Sequence, residues 1–423
     1  MALFSPETWP FPLGLLPNSA YLVGGSVRDR LLNHNSTYLD LDFVLAHNAV
    51  ETAAHIATAC NAGFVVLDKA RQIARVVFDD TTVDFAQQQG ESIEADLHRR
   101  DFTINAIAYR PSTGQLIDPL GGQIDLQNQT IRMVSYRNLA ADPLRLLRGY
   151  RQAAQLNFTL SADTQTAICQ LAATLSTVSR ERMHSELDAL LSTPASSEYL
   201  TPLLEAQLLQ CCLPHFDGDR IQQVKAIEQA IAQFQLEMPD YAQRLQSWIK
   251  PVPVGHYRSW LKAAKLSCLV CANPKQAEAE MLALKYSRSE TQAVVTLLSV
   301  QPDIDTLKQD KSSRAQQFFL FKKAGIAFPA VSLIALAQGV SLSTLKPLIE
   351  RFLNPNDELA HDSTLLTGAA LIKQFQLRPG PQIGQILEAL ELAQAEGRIR
   401  DRESAIAFVK AWRHDQQHTA EST

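Results

Sequence analysis

The fold is decided by residues 22–29, which read Leu-Val-Gly-Gly-Ser-Val-Arg-Asp. The apolar residues before the glycines predict a buried strand, the glycines interrupt it, and residues 27–32 predict the start of a helix. In such a strand-turn-helix segment, backbone N–H groups and the side chain of Arg28 converge at the turn formed by Gly24 and Gly25. A site of this kind suits a triphosphate.

Two aspartates follow in residues 38–45, Tyr-Leu-Asp-Leu-Asp-Phe-Val-Leu, a stretch rich in strand-forming residues. Positions two apart in a strand share a face, so Asp40 and Asp42 are expected to project together. Adjacent carboxylates repel each other unless a cation neutralises them, and Mg2+ binds carboxylate and phosphate oxygens together. Either feature alone is most often a plain turn or strand edge. Their order and close spacing favour phosphoryl or nucleotidyl transfer with Mg2+ held by Asp40 and Asp42.

These segments, GGSVRD followed by LDLDFV, resemble the first motif of the class II tRNA nucleotidyltransferase and bacterial poly(A) polymerase family. That family lies within the polymerase-β-like nucleotidyltransferases. The resemblance implies a catalytic head with a mixed sheet and helices, and it implies tRNA, CTP and ATP as the molecules bound.

The chain changes character near residue 138. Before it, short strand-like runs alternate with helical stretches such as 49–62, which indicates an α/β head. Beyond it, stretches rich in Ala, Leu and Gln recur at helical spacing, which predicts an all-α remainder and an α+β protein as a whole. The further predicted strands are 64–67, 73–78, 81–85, 104–109 and 115–117. With breaks at 250–255 and 301–303, the expected parts are a head (1–137), a neck (138–200), a body (201–300) and a tail (301–423).

Length and composition limit the class of protein. A chain of 423 residues predicts two to four domains, and 46% hydrophobic with 20% charged residues is typical of a soluble globular protein. Residues 1–18 contain four prolines and no basic segment, so they are not expected to be a signal peptide. No later stretch is expected to span a membrane. A net charge of −5 argues against gripping nucleic acid by bulk electrostatics, although it leaves room for a local basic face.

The six cysteines show no disulfide spacing, which favours a reducing cytoplasm. Cys268-x-x-Cys271 is half of a possible zinc site, but no second pair of ligands follows at suitable spacing, so buried thiols are the favoured interpretation. The ten histidines form no ligand pattern. His361-Asp362 stands alone, which gives no sign of an appended metal phosphohydrolase domain.

Asp84 lies in the strand-like residues 82–86, Thr-Val-Asp-Phe-Ala. It is a candidate third carboxylate beside Asp40 and Asp42, with a general-base or metal-bridging role in activating a 3′-hydroxyl. A strand-end aspartate in a turn is an equally good interpretation.

The second motif is residues 99–106, Arg-Arg-Asp-Phe-Thr-Ile-Asn-Ala. By itself it is also compatible with a solvated helix end and a capping residue. It matches the family's second motif almost letter for letter, which implies that Arg100 contacts the nucleotide phosphates, Asp101 the ribose, and Asn105 helps to hold the site. A guanidinium suits phosphate oxygens, in agreement with that role.

The fourth motif, residues 142–151, has the most informative spacing in the chain. Asp142 is a good N-cap, Pro143 is favoured in a first helical turn, and charged residues at three-residue intervals predict a helix side that is cationic. An ordinary basic helix face is the alternative. The family resemblance implies a protein template: Asp142 and Arg145 read the base, and the remaining arginines, Arg148 and Arg151, face the phosphates or stabilise the site.

An Asp acceptor beside an Arg donor matches cytosine or adenine, whereas uracil or guanine leaves buried groups unpaired. One departure concerns Ala141, which stands where the family usually has a Glu that steadies the template arginine. Without this Glu, the template arginine is expected to be held less rigidly, or the template to prefer a different base.

Three further segments resemble family motifs. Residues 118–126 match DPxxGxxDL, implying a hinge between head and neck; unaided, they predict only a turn. Residues 179–187 resemble a motif with a structural role in the neck. Residues 377–387, with 397–399, resemble the tail segment, where a Gly/Pro turn before a helix suits a tRNA phosphate; a plain helix connection is nearly as good an interpretation.

These features predict a cytoplasmic tRNA 3′-terminal nucleotidyltransferase that adds CMP or AMP from CTP or ATP with Mg2+ and no nucleic-acid template. The connection at residues 87–94 is short, as in CC-adding members, whereas full CCA-adding members usually carry a long flexible loop there. Alternatives are A-adding or poly(A) polymerase activity, a non-catalytic RNA-binding protein, and a nucleotidyltransferase for a small molecule. The sequence does not indicate an oligomeric state.

Overall fold

A seven-stranded mixed sheet organises the first half of the chain. The structure is a computed structural model that describes residues 6–33, 39–79, 81–248, 258–308, 312–361 and 365–421. The chain divides into two compact units, Met1–Cys211 and Cys212–Thr423. The four-part division expected from the sequence stays a prediction.

Unit 1 contains all of the described strands. They are β1 (Tyr21–Val23), β2 (Leu39–Leu45), β3 (Gly63–Asp68), β4 (Ile73–Val77), β5 (Thr81–Gln87), β6 (Ala108–Arg110), β7 (Gln115–Ile117), β8 (Thr130–Ile131) and β9 (Thr159–Leu160). The large sheet has the order β3-β4-β5-β2-β1-β6-β7, and β2 and β5 at its centre run parallel. The five other neighbouring pairs in that sheet are antiparallel. The short strands β8 and β9 form a separate parallel pair.

The helices of unit 1 follow the strands and then dominate. They are α1 (Gly25–Leu31), α2 (Ala49–Ala59), α3 (Ile93–Leu97), α4 (Gly122–Gln127), α5 (Tyr136–Ala141), α6 (Leu144–Leu156), α7 (Ala162–Leu171), α8 (Arg180–Leu191) and α9 (Ser197–Glu205). Short 3-10 turns occur at Pro6–Thr8, Leu13–Leu15, Thr103–Asn105 and Ala172–Thr177. The predicted mixed head followed by helices is confirmed.

Alternation along the central strands separates two faces of the sheet. Leu41 and Phe43 of β2, with Val83 and Phe85 of β5, are buried. The rings of Phe43 and Phe85 stack with centroids 5.5 Å apart, and Trp9 meets Phe43 edge-on at 5.2 Å. Since successive side chains in a strand point to opposite faces, the residues between these apolar ones lie on the other face, away from the aromatic core.

Two sequence expectations in unit 1 need correction. The predicted strand 104–109 is a 3-10 turn, Thr103–Asn105, followed by strand β6, which begins only at Ala108. Ile104 and Ile107 are both fully buried. Because a short run of buried apolar residues has the same sequence pattern as a buried strand, the segment was predicted as a strand. Helix α2 ends at Ala59 rather than residue 62, because Asn61 adopts a positive φ of 52°.

Unit 2 is helical throughout its described residues. Its helices are α10 (Gly218–Glu237), α11 (Pro239–Leu245), α12 (Trp260–Leu269), α13 (Pro274–Ala283), α14 (Arg288–Ser299), α15 (Gln301–Leu307), α16 (Arg314–Ala324), α17 (Phe328–Ala337), α18 (Leu342–Leu353), α19 (Gly368–Phe375), α20 (Pro381–Ala395) and α21 (Arg402–Glu421), with a 3-10 turn at Gly325–Ala327. Serine side chains cap several of them. Ser287 and Ser313 form full capping boxes with Glu290 and Gln316, which satisfies otherwise unpaired N–H groups.

The breaks expected in this helical region have different outcomes. The one at 301–303 is a helix boundary, since α14 ends at Ser299 and α15 begins at Gln301. The one at 250–255 lies outside the described residues. One stretch, Arg314–Ala337, is long and apolar enough to cross a membrane by length and composition alone. However, 67% of its most apolar window is buried inside the protein, as in a core helix.

Candidate active site

Three carboxylates meet on the face of the sheet opposite the aromatic core. In the parallel register of β2 and β5, Asp42 lies directly beside Asp84, and Asp40 lies beside Thr82, which donates a hydrogen bond to Asp40 Oδ1 at 3.2 Å. The predicted third carboxylate is therefore next to the predicted pair. Asp84 also accepts two hydrogen bonds from Arg75, from Nε at 2.7 Å and from Nη2 at 2.8 Å.

The acidic face carries more negative charge than its surroundings neutralise. Burial, and then the charges of Asp40 and Asp84, raise the pKa of Asp42 to about 6, against the opposing effects of Arg100 and Arg148. Burial also raises the pKa of Asp40, with the Thr82 hydrogen bond acting in the opposite direction. The cluster offers only carboxylate oxygens at its centre, which is the donor set that Mg2+ prefers. The residues present thus fit a divalent cation.

The glycine turn is packed tightly against this face. Gly24 adopts φ +71°, and a Cβ placed on it would lie 3.3 Å from Nη1 of Arg100 and 3.5 Å from Oδ2 of Asp42. A side chain there would be strained and would fill the space between the arginine and the carboxylate. Ser26 joins the turn to β2, because its Oγ donates to Asp40 O at 2.8 Å and accepts from Asp42 N–H at 3.1 Å.

The second motif forms a buried polar network beside the turn. Asn105 donates to Asp101 Oδ1 and to Gln152 Oε1, both at 2.9 Å, and accepts from Arg28 Nη1 at 3.0 Å. Burial would raise the pKa of Asp101, but Arg148 at 2.7 Å and the hydrogen bonds from Asn105 and the Phe102 N–H outweigh it and hold the pKa below its ordinary value. Asp101 is therefore a preorganised carboxylate.

Arg100 connects this network to the acidic face. Its Nη2 lies 3.2 Å from Asp96 Oδ2, and its Nη1 approaches Asn105 O at 3.5 Å. Its Nε is buried and lacks a hydrogen-bond partner among the described residues. The atom of Arg100 that faces the glycine turn is Nη1, so the guanidinium is placed to pair with an anion bound at Gly24.

Helix α6 presents the arginines of the fourth motif, and each is engaged. Arg145 Nη1 donates to the carbonyls of Arg99 at 3.0 Å and Asn138 at 3.2 Å. Arg148 pairs with Asp101 at 2.7 Å, and Arg151 Nε lies 2.5 Å from Glu186 Oε2. The predicted cationic side of the helix is thus largely balanced by protein partners.

The prediction that Asp142 is the N-cap of this helix was wrong by one residue: Asp142 is extended and accepts from Leu144 N–H at 3.3 Å, one position before the cap. The helix itself starts at Leu144, with Pro143 in the cap position. The other oxygen of Asp142 accepts from Arg182 Nη2 at 2.9 Å. Ala141 contributes no carboxylate, and backbone carbonyls hold Arg145 at this site.

Comparison with known proteins agrees with this geometry. The Poly A polymerase head domain family matches residues 20–132, the RNA- and SrmB-binding site of polymerase A matches 157–219, and the tRNA nucleotidyltransferase domain 2 family matches 258–409. A CC-adding tRNA nucleotidyltransferase from Synechocystis is 44% identical over 95% of this chain and 95% of its own. The chain belongs to the tRNA nucleotidyltransferase family. Members of this family are generally metal-dependent.

Two further relatives share less sequence with this chain. An A-adding enzyme from Deinococcus radiodurans is 32% identical, covering 95% of this chain and 97% of its own. A solved CCA-adding enzyme with ATP shares the fold at a TM-score of 0.68 and 20% identity, over 93% of this chain and 89% of that one. The similarity therefore extends across residues 201–364, where the sequence motifs gave no match.

The remaining tRNA nucleotidyltransferase motifs support the site structurally. In residues 118–126, the segment that matches DPxxGxxDL, Asp118 accepts from the N–H groups of Gly122 and Gln123 at 2.7 and 2.9 Å, which caps α4. A Cβ on Gly122 would lie only 2.3 Å from Thr103 O, so this turn packs directly on the second motif. The hinge role stays a prediction. The neck segment at residues 179–187 falls at the start of α8, where Arg182 pairs with Asp142 and Glu186 pairs with Arg151 of α6.

Several residues of the site were missed from the sequence. Arg75 faces Asp84 across the antiparallel β4–β5 pair, Asp96 holds Arg100, and Asn138 donates to the carbonyls of His98 and Arg100 at 2.8 Å each. A charged residue inside the apolar strand 73–77 was the signal for Arg75. The tail segment does contain the expected turn, with α20 beginning at Pro381, but its phosphate-binding role stays a prediction.

Proposed function

We propose that this tRNA nucleotidyltransferase is a CC-adding enzyme, which transfers two CMP residues from CTP to a tRNA 3′ end and then stops. The observation that carries the proposal is the connection between β5, which ends at Gln87, and α3, which begins at Ile93. The 44% identical Synechocystis relative bears the CC-adding name, which supports the same specificity.

This connection is short, and two hydrogen bonds from its backbone hold it to neighbouring elements. Gln88 N–H donates to Leu45 O of β2 at 2.8 Å, and Gln89 N–H donates to Oδ1 of the buried Asp96 at 2.9 Å. Asp96 in turn holds Arg100. A segment fixed in this way has little freedom to rearrange the site for a second nucleotide, in contrast to the long flexible loop expected of full CCA-adding members.

In the proposed site, Asp40 and Asp42 hold Mg2+. Bound there, Mg2+ supplies polarisation of the tRNA 3′-hydroxyl and neutralisation of the triphosphate as pyrophosphate leaves. Asp84 is the third carboxylate. Arg75 donates to both oxygens of Asp84. We therefore propose that Asp84 contributes negative charge to the acidic face and does not abstract a proton.

The nucleotide is bound by the groups around the turn. Gly24 and Gly25 leave room for the triphosphate, while Arg28 and Nη1 of Arg100 face its oxygens. Asp101 contacts the ribose of the nucleotide, and Asn105 helps to hold Asp101 in place. Their buried hydrogen bonds keep these groups in place before the substrate arrives.

The base is read by Asp142 and Arg145. Cytosine offers an amine donor to the aspartate and ring acceptors to the arginine, whereas uracil reverses this pattern and leaves groups unpaired. Arg148 and Arg151 act as positioning residues through Asp101 and Glu186. Two backbone carbonyls steady Arg145 in place of the missing carboxylate at position 141.

The helical neck, body and tail are proposed to hold the tRNA, and the cytoplasm is the proposed compartment, in keeping with six free cysteines. The test uses tRNA transcripts that end before CCA, after C and after CC, with Mg2+ and CTP, ATP or both. Products are sized to single nucleotides, and Asp42→Asn is the inactive control.

Growth by two residues with CTP, and no further growth when ATP is added, is the expected result. Growth by three residues would identify full CCA addition. Growth only on the transcript ending in CC, by one A, would identify A addition, and long A tails would identify a poly(A) polymerase. No incorporation by the wild type would reject catalysis and favour an RNA-binding role.

A further inference from the structure

A group of three potential metal ligands lies in unit 2, in the helical half of the chain. The imidazole of His215, the thiol of Cys271 and the carboxylate of Glu280 have ligand atoms that all lie within 4.8 Å of one another. His215 Nε2 is 3.2 Å from Glu280 Oε1. His215 comes shortly before α10, Cys271 follows α12, and Glu280 belongs to α13.

The three side chains differ in their exposure to solvent. Cys271 is 9% exposed, the Glu280 side chain is 13% exposed, and the His215 side chain is 47% exposed. Glu280 is held in place, because its Oε2 accepts from Cys271 N–H at 2.9 Å. Ligands oriented by the backbone on one side, with solvent access on the other, give an ion a route of entry and room for a water ligand.

We propose that His215, Cys271 and Glu280 bind a thiophilic divalent metal ion of the Zn2+ class, with water in the fourth position. Tetrahedral zinc with nitrogen, sulfur and oxygen ligands has ligand atoms roughly 3.3–3.6 Å apart, so small side-chain movements complete the site. A thiolate and an imidazole select such a metal over Mg2+, which requires oxygen ligands. This site is independent of the nucleotidyl transfer proposed for the head.

The neighbouring thiol of the Cys-x-x-Cys segment takes no part. Cys268 Sγ lies 3.6 Å from Ala264 O, and burial raises the pKa of this thiol to about 12. Cys271 instead donates its S–H to Gln276 Oε1 at 2.8 Å. Metal binding releases the Cys271 proton to solvent and replaces this hydrogen bond by a metal–sulfur bond. The bound ion would connect the segment before α10 to α13.

The test titrates Co2+ into the reduced, chelator-treated full chain carrying Asp40→Asn and Asp42→Asn, which removes the carboxylate pair of the head. One equivalent should produce a thiolate-to-cobalt charge-transfer band that Zn2+ displaces; carboxylates alone cannot produce it. Cys271→Ser, His215→Gln and Glu280→Gln should each weaken binding by at least roughly 100-fold, because losing only an outer partner of a ligand already costs about 10–100-fold.

Cys268→Ser is the matched control and should bind as the parent does. Zn2+ should also raise the melting temperature of the parent and of Cys268→Ser, but not of His215→Gln, whose half-exposed side chain is replaced without disturbing the core. Absence of the charge-transfer band in the parent would overturn the proposal. So would a band that survives Cys271→Ser or is lost in Cys268→Ser.

Discussion

The acidic face of β2 and β5 and the arginine side of α6 differ in how their charges are balanced. On the acidic face, Asp40, Asp42 and Asp84 crowd together, and the pKa of Asp42 rises to about 6. On α6, Arg148 and Arg151 each pair with a buried carboxylate. The acidic face therefore needs a cation from outside the protein, whereas the charges on α6 are balanced before any ligand binds.

This difference separates two kinds of functional surface. Like charges left uncompensated cost folding free energy and persist where an external ion completes them. Charges that are already paired cost less to hold and present fixed donors to a ligand. The comparison predicts that changes on the acidic face remove activity and raise stability, and that changes on the helix alter selectivity.

Asp42→Asn should have the largest effect on catalysis. Removing one of two carboxylates for Mg2+ should lower the rate of CMP incorporation at least about 1,000-fold, because the metal contributes several kcal/mol to the transition state. Single-turnover extension of a tRNA lacking CCA measures it. Asp68→Asn, at an aspartate on the edge strand β3, is the matched control and should keep its rate. A loss below tenfold in Asp42→Asn would remove this residue from the metal site.

The metal-free protein should lose stability as the pH rises from about 4 to about 6. The folded pKa of Asp42, about 6, lies above its ordinary value of 3.8, so the stabilisation is fully present below pH 4 and is lost as the pH passes the folded pKa. This shift in the pKa corresponds to a loss of about 3 kcal/mol in the free energy of unfolding. Urea unfolding with a chelator, at several pH values, measures the difference between wild type and Asp42→Asn. Identical pH profiles for the two proteins would contradict the unbalanced acidic face.

Arg145→Ala should reduce the preference for CTP over UTP by about 10–100-fold, since a missing base contact is worth about 1–3 kcal/mol. The ratio of kcat/KM values for CTP and UTP measures this preference. The free energy of unfolding should change little. Arg137→Ala, an exposed arginine on the neighbouring helix α5, is the control for lost charge. Equal discrimination in the wild type and Arg145→Ala would show that another group reads the base.

Arg182→Gln should have the smallest effect. Its ion pair with Asp142 joins side chains that are 52% and 35% exposed, so the free energy of unfolding should change by less than about 1 kcal/mol. Because Asp142 is then free to rotate, CTP selectivity should fall a few-fold. If selectivity is unchanged, Asp142 is oriented by its hydrogen bond from Leu144 N–H alone.

The sequence predicted the acidic pair because a period of two places Asp40 and Asp42 on one face whatever the strand pairs with. It also placed Asp84 in a strand, but the partner Arg75 depends on the register between β4 and β5, which sequence periodicity does not determine. The strand predicted at 104–109 was wrong over its first residues, because the buried Ile104 lies in a 3-10 turn and the buried Ile107 precedes strand β6.

Contacts between distant segments account for the other omissions. The partners of α6 come from the second motif and from α8, and nothing in the helix itself identifies them. The same holds for Cys271, since His215 lies well before it and Glu280 follows at a spacing that does not match a paired-cysteine zinc motif.

The central claim is that the acidic face is completed by a divalent cation, and Mg2+-dependent melting at pH 8 tests it most directly. Mg2+ should raise the melting temperature of the wild type in a concentration-dependent manner, and this gain should largely disappear in Asp42→Asn, which should start from a higher value without metal. An equal gain from Mg2+ in both proteins would contradict the account.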